Sequence, residues 1–140
     1  MRIVVDTNVF LGACLGDGAS DRVVAGCLTG QFSALMGSAL FTEYEDVLSR
    51  ANLFRKCRLD AAERDKLLDI FAANCEWVTL YCGWHPDNKD SKDEQRNYLI
   101  ELAVAGGANA IASYNQRDFK GIELVFPDIA IMPPEPLLKG

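Results

Sequence analysis

The sequence has 140 residues, of which 49% are hydrophobic and 24% are charged, and its formal net charge is −6 at pH 7. A chain of this size is expected to fold as one domain, residues 1–140, around a sizeable core. Charged residues interrupt the apolar runs, so the sequence predicts neither a membrane span nor a secretory signal, and we expect a cytoplasmic protein. The acidic balance argues against a broad basic surface for nucleic acid, yet it leaves open a nuclease whose carboxylates bind cations.

The first elements are predicted to be a strand followed by two helices. Residues 2–6 form a β-branched run that is typical of a buried parallel strand. A helix is expected to begin near Val9, and the stretch LGDGAS should break it. Ser20 or Asp21 is the expected cap of the second helix, which should end at Gly30.

A second strand and a third helix are predicted next. FSALMG has the character of a strand, and Ser38 is the expected N-cap of the helix SALFTEYEDVLSR. The apolar residues of this helix share one face: Leu40, Tyr44, Val47 and Leu48. Glu43 should therefore lie beside the buried stripe.

The following helix, AAERDKLLDIFAANC, is expected to be capped by Asp60. Its predicted core-facing residues are Leu67, Leu68, Ile70 and Phe71. EWVTLY is predicted to be a third strand. The polar stretch GWHPDNKDSKDEQ is predicted to be a loop that leads to the start of another helix.

The last part of the chain is predicted to contain one more helix and two strands. The helix NYLIELAVAGGA should end at its glycine pair, NAIAS and IELVF should be strands, and the tail MPPEP should be non-helical. Alternating strands and helices predict an α/β domain with a mostly parallel sheet and helices on both faces.

The five cysteines are scattered and include no C-x-x-C pair. This pattern fits reduced thiols packed as small hydrophobic groups better than a disulfide or zinc framework.

Acidic and polar residues follow two of the predicted strands. Asp6 ends the first strand, and Asn115 and Asp118 come after the fourth. Ligands of parallel sheets bind at the carboxyl ends of the strands, so these side chains are expected to meet at one edge. A hard cation such as Mg²⁺ or Mn²⁺ prefers oxygen ligands of this kind.

Each acid also has a structural interpretation. Asp6 could cap the helix that follows it, Glu43 could be a half-exposed helix residue, and Asp118 could cap a turn. It is their common placement near strand ends that favours a metal site.

Three segments carry a family resemblance: VVDTNVFL, SALFTEYEDVLSR and DEQRNYLIELAVAGGANAIASYNQRDF. In this order they resemble the PIN-domain family, in particular its VapC-like branch of toxins from toxin–antitoxin pairs, over nearly the whole chain. The resemblance implies a three-layer α/β/α sandwich and a metal-dependent site that cleaves RNA. It also implies a homodimer.

The resemblance assigns roles to individual residues. Asp6 matches the first acid of the family, Glu43 the second and Asp118 the last, with Asn115 as a polar neighbour. The implied supporting groups are Asn8 and the hydroxyls of Thr7 and Ser113.

One position departs from the family. Arg96 stands where the family usually has a further acid, and Asp93, one helical turn earlier, matches another acid of this branch. Asp93 could take over as a metal ligand. Arg96 could instead supply positive charge to the site, or pair with Asp93 and leave the site inactive.

Three hypotheses remain at this point. The first is a Mg²⁺- or Mn²⁺-dependent endoribonuclease with Asp6, Glu43, Asp93 and Asp118 as ligands, inhibited by an antitoxin that inserts a basic side chain. The second is a degenerate PIN-like domain that binds RNA or a protein without cleavage. The third is a haloacid-dehalogenase-like phosphatase with Asp6 as nucleophile. Its mechanism would require a second acid at the position of Asn8.

Overall fold

The computed structural model of the chain describes residues 1–50, 57, 59–79, 92–115 and 126–139, with the backbone alone for residues 92–97. Its elements are β1 (Arg2–Val5), α1 (Thr7–Cys14), α2 (Gly18–Thr29), β2 (Ser33–Met36), α3 (Ser38–Leu48), α4 (Ala61–Ala73), β3 (Glu76–Trp77), α5 (Lys92–Gly106), β4 (Ala110–Ala112), β5 (Ala130–Met132) and α6 (Pro134–Lys139).

The five described strands form one sheet with β1 at its centre. The strand order is β3-β2-β1-β4-β5, and every neighbouring pair is parallel. β1 is buried on both faces, as its apolar residues predict, and Ile3, Val4 and Val5 are at most 1% exposed. Helices pack on both faces of the sheet, which confirms the predicted α/β/α sandwich.

The strand order changes direction beside β1. The chain runs from β1 through β2 to β3 on one side, and β4 and β5 lie on the other side. Val5 pairs with Ala112, and the backbone N–H of Asp6 donates to the carbonyl of Ala112 over 2.9 Å. The carboxyl ends of β1 and β4 are therefore level, and the crevice between them is where open parallel sheets bind ligands.

Three aromatic side chains join α1, α3 and α4 in the core. The ring centroid of Phe10 lies 5.2 Å from that of Tyr44 and 5.3 Å from that of Phe71. Leu40 and Leu48 are buried on the same face of α3 as Tyr44, whereas Val47 is half-buried. The predicted core-facing stripe of α3 is confirmed, and it holds this helix against α1 and α4.

α4 confirms its predicted cap and corrects part of its predicted face. Asp60 accepts from the backbone N–H of Glu63, whose side chain accepts in return from the backbone of Asp60, so the two form a capping box. Leu68 and Phe71 are buried as expected. Ile70, in contrast, is 43% exposed, so its assignment to the core was wrong.

Three helices start earlier than the sequence predicts. α1 begins at Thr7 rather than near Val9, because Asp6 is its N-cap. α2 begins at Gly18 rather than at Ser20 or Asp21, and α3 is capped by Gly37 rather than by Ser38. The predicted end of α2 is confirmed, since Gly30 has a φ of 91° and adopts the left-handed C-cap conformation that favours glycine.

The later elements also need correction. α5 already includes residues 92–95, which the sequence had assigned to a loop. α6 covers much of the tail that was predicted to be non-helical; its prolines occupy the first turn, where a helix does not need their missing N–H groups. The strand beside β4 is 130–132, and the predicted strand 122–126 lies outside the described residues except for Phe126, which is not in a strand. Of the predicted strand 76–81, residues 76–77 are a strand and residues 80–81 lie outside the described part.

Within these described ranges, no helix is both long enough and apolar enough to cross a membrane.

Candidate active site

Asp6 lies at the carboxyl end of the central strand, and its side chain is held by three neighbours. Oδ1 accepts from the backbone N–H of Thr7 over 2.7 Å and lies 3.4 Å from the Thr7 hydroxyl. Oδ2 accepts from the Ser113 hydroxyl over 2.8 Å and from the Asn8 amide over 3.4 Å. The half-buried carboxylate is therefore fixed in one orientation at the crevice.

Ser113 and Asn8 connect the ends of β1 and β4. The Ser113 side chain is fully buried, and its hydroxyl oxygen also accepts from the backbone N–H of Asn115 over 3.0 Å. Asn8 donates to the Ser113 hydroxyl over 3.3 Å and accepts from the backbone N–H of Tyr114 over 3.1 Å. The sequence predicted that Asp6, Asn115 and Asp118 would meet at this edge. The structure brings Asp6 together with Asn8 and Ser113, the supporting groups implied by the resemblance, and it brings the backbone of Asn115 to Ser113.

Glu43 reaches the same region from α3. Its half-buried carboxyl has a pKa above the ordinary value, first because burial disfavours its charged form and then because of the negative charge of Asp46. Arg50 opposes this change, and the charge of Asp6 adds to the increase. Asp6 and Glu43 are therefore close enough for their charges to interact.

Two tyrosines lie near these acids, and neither was predicted from the sequence to belong to the site; Tyr44 was predicted only as part of the buried stripe of α3. Tyr44, which follows Glu43, is buried, and its hydroxyl donates to the carbonyl of Val5 over 2.5 Å. Tyr98 is 4% exposed, and its pKa is raised by burial and then by the charges of Glu43 and Asp6. Their only signal in the sequence is their position beside predicted site residues.

A second polar cluster lies next to Ser113. The hydroxyl of Tyr114 donates to the carboxylate of Asp17, and it lies 2.7 Å from the hydroxyl of Ser20. Ser20 in turn donates to Asp17 over 2.7 Å. These bonds tie the turn between α1 and α2 to the end of β4, and no pattern in the sequence predicted them.

The remaining predicted site residues are not placed. The side chains of Asp93 and Arg96 belong to the part of α5 that is described by its backbone alone, and Asp118 lies outside the described residues. In the described part of the chain, no three His, Cys, Asp or Glu side chains form a group that could hold a metal. The described site therefore consists of two acids and their hydrogen-bonding neighbours.

These two acids fit a hard divalent cation. Their donors are carboxylate oxygens, which Mg²⁺ and Mn²⁺ prefer, and the hydrogen bonds to Asp6 orient its oxygens. A cation bound beside Asp6 and Glu43 would also remove the repulsion that contributes to the raised pKa of Glu43.

Comparisons with known proteins identify the family and the fold of the chain. A family model described as the PIN domain matches residues 2–117. Among solved structures, the chain is similar to a crystal structure of VapBC2 from Rickettsia felis bound to a DNA fragment from their promoter. That similarity has a TM-score of 0.51 and 14% sequence identity, and it covers 94% of this chain and 97% of the other. A search of curated proteins gave no match.

Proposed function

The chain belongs to the PIN-domain family, and we propose that it is a Mg²⁺- or Mn²⁺-dependent endoribonuclease, the toxin of a toxin–antitoxin pair. PIN-domain proteins of the VapC kind are generally nucleases, which supports the assignment of this chain as a hydrolase. What we propose beyond this is that the chain cleaves RNA, that cleavage depends on a metal, and that the metal is Mg²⁺ or Mn²⁺.

One observation carries this proposal. The Asp6 carboxylate lies at the crevice between β1 and β4, where it is oriented by Thr7 and Ser113 and interacts electrostatically with Glu43. A helix cap alone explains the bond from Thr7. It does not explain why a buried serine that follows another strand should bond to the same carboxylate, or why the charge of Asp6 should act on a second half-buried acid.

In the proposed site, Asp6 and Glu43 hold the cation together with Asp93 and Asp118. When bound, a divalent cation supplies the positive charge that an anionic phosphodiester requires and makes water more acidic. Ser113 and Thr7 keep the Asp6 oxygens in place, so little reorganisation is needed when the substrate binds. Asn8 and Asn115 complete the polar wall of the crevice.

Arg96 supports a second candidate, a PIN-like domain that binds RNA or a protein without cleaving. Arg96 follows Asp93 by three residues on α5, so the two positions share one face of the helix. Substitution Arg96→Asp separates the candidates. If the wild-type chain is inert and the variant cleaves RNA, the natural protein is a binding module.

One solved structure similar to this chain is VapBC2 from Rickettsia felis bound to a DNA fragment from their promoter, and this similarity supports an antitoxin as the partner of this chain. We propose that the antitoxin inserts a basic side chain into the acidic crevice, since the net charge of −6 favours a basic partner. A homodimer, a single domain over residues 1–140 and a cytoplasmic location complete the proposal.

The experiment is RNA cleavage by the purified chain in Mg²⁺ or Mn²⁺, with Asp6→Asn, Glu43→Gln, Asp93→Asn and Asp118→Asn as test variants. Asp69→Asn is the matched control, because Asp69 is an exposed acid on α4. We expect the wild-type and control chains to cleave, and cleavage to fall by at least about 100-fold in Asp6→Asn, the range found when one electrostatic group of a catalytic site is removed.

Cleavage that persists in Asp6→Asn and Glu43→Gln would contradict the proposed site. Cleavage that is lost equally in Asp69→Asn would point to an unspecific effect of charge.

A further inference from the structure

Tyr114 is a large aromatic side chain on the surface beside the candidate site. It is 44% exposed, although its neighbour Ser113 is fully buried and donates to Asp6. It follows β4 directly, at the carboxyl end of the strand. Tyr114 is therefore an exposed residue directly beside the one that bonds to Asp6, at the carboxyl end of β4.

Tyr114 is held both through its backbone and through its side-chain hydroxyl. Its backbone N–H donates to Asn8, and its hydroxyl is bonded to both Asp17 and Ser20. The bonds from Tyr114 and Ser20 lower the pKa of Asp17, so this carboxylate stays charged and keeps its bonds at neutral pH. Ser20 itself is fully buried, which makes the anchor part of the folded core.

The hydroxyl of Tyr114 is engaged by two protein groups, and the residue as a whole is still 44% exposed. An exposed ring that is already immobilised loses little conformational entropy when a ligand packs against it. Such rings are the platforms on which single-stranded nucleic acids stack their bases.

We propose that Tyr114 is a positioning residue that stacks an unpaired base of the substrate while the phosphodiester lies at Asp6. The proposal rests on the proposed function and narrows it to single-stranded RNA, because bases in a duplex do not offer their faces. The alternative, a contact for a protein partner, is less favoured, since the ring is adjacent to the residue that orients Asp6.

The test measures binding of a short single-stranded RNA that contains 2-aminopurine, whose fluorescence is quenched when it stacks. Ca²⁺ replaces Mg²⁺ or Mn²⁺, and the RNA is checked for intactness on a gel. Tyr114→Ala removes the ring, whereas Tyr114→Phe keeps the ring and removes the hydroxyl anchor. Val104→Ala is the control, because Val104 is 48% exposed near the end of α5, at the opposite edge of the sheet.

We expect Tyr114→Ala to raise the Kd for single-stranded RNA by about five- to 150-fold and to abolish the quenching. Tyr114→Phe should keep the quenching and bind within about threefold of the wild type, because stacking requires the ring alone. Val104→Ala should bind like the wild type. Binding of a blunt RNA duplex should be the same for all four chains.

Two results would overturn the assignment. Unchanged RNA affinity in Tyr114→Ala would indicate that the ring contacts a protein partner instead of RNA. Equal losses of RNA affinity in Tyr114→Phe and Tyr114→Ala would assign Tyr114 a purely structural role through its hydroxyl. Cleavage is measured separately in Mn²⁺ with the wild type, Asp6→Asn and Tyr114→Ala. Cleavage that depends on Asp6 but not on Tyr114 refutes only the stacking role, while stacking without any cleavage refutes only the nuclease.

Discussion

Tyr44 connects the helix that carries Glu43 to the strand that carries Asp6, and we predict that Tyr44→Phe destabilises the fold. The tyrosine is 1% exposed, and its hydroxyl donates to the carbonyl of Val5, the last residue of β1. Phenylalanine keeps the packing against Phe10 and Phe71 and removes only this hydrogen bond.

The size of the effect follows from the burial of this hydrogen bond. Losing it leaves a carbonyl oxygen without its donor in the core, which costs about 1–2 kcal/mol of the free energy of unfolding. For a domain of 140 residues, a loss of this size lowers the Tm by about 3–7 °C.

The assay is urea denaturation followed by circular dichroism, with the free energy of unfolding taken from the midpoint and slope. The slope should stay unchanged, because the variant exposes the same surface on unfolding. Thr42→Val removes a hydroxyl from an exposed residue of the same helix, α3, and it should cost less than about 0.5 kcal/mol. Equal stability of Tyr44→Phe and the wild type would refute the hydrogen bond as a link between α3 and β1.

Three further predictions concern packing, capping and thiol reactivity. A Cβ added at Gly106 would lie 2.4 Å from the side chain of Leu35, so Gly106→Ala should lower the free energy of unfolding by about 1–3 kcal/mol in urea denaturation. Gly18→Ala is the control and should leave this free energy unchanged, because a Cβ added there meets nothing within 4 Å. Asp60→Ala removes a capping box and should cost about 1 kcal/mol; an unchanged midpoint would contradict the role of this cap. Burial raises the pKa of Cys27 to about 12, so its thiol should react with iodoacetamide at pH 8 only in urea, as mass spectrometry of the labelled peptides can show. Because the folded state keeps this proton more tightly, stability should fall as the pH rises above about 9, and a rise there would contradict the burial.

The sheet could be predicted from the sequence because β1, β2 and β4 are short apolar runs bounded by turn or cap residues. The helix starts were harder, since tertiary contacts decide them. The carboxylate of Asp17 bonds to Tyr114 and Ser20 and makes no side-chain cap bond, so α2 begins at Gly18 without the expected signal. The prolines of α6 indicated a loop, but in a first turn they are compatible with a helix.

The candidate site was predictable where topology alone brings residues together. Parallel pairing of β1 and β4 places Asp6 near Ser113, and this could be deduced from strand order. The contact of Tyr114 with Asp17 could not, because it depends on how the turn after α1 packs against the end of β4. Asp93, Arg96 and Asp118 remain predictions.

The central claim is that Asp6 binds a catalytic cation, and calorimetric titration of Mn²⁺ into the wild-type chain and Asp6→Asn tests it most directly. Asparagine keeps the size of the side chain and can still cap α1, so the variant should stay folded. The account predicts Mn²⁺ binding by the wild type, and its loss in Asp6→Asn together with the loss of RNA cleavage. Equal Mn²⁺ binding by the two folded chains, or no binding by either, would contradict it.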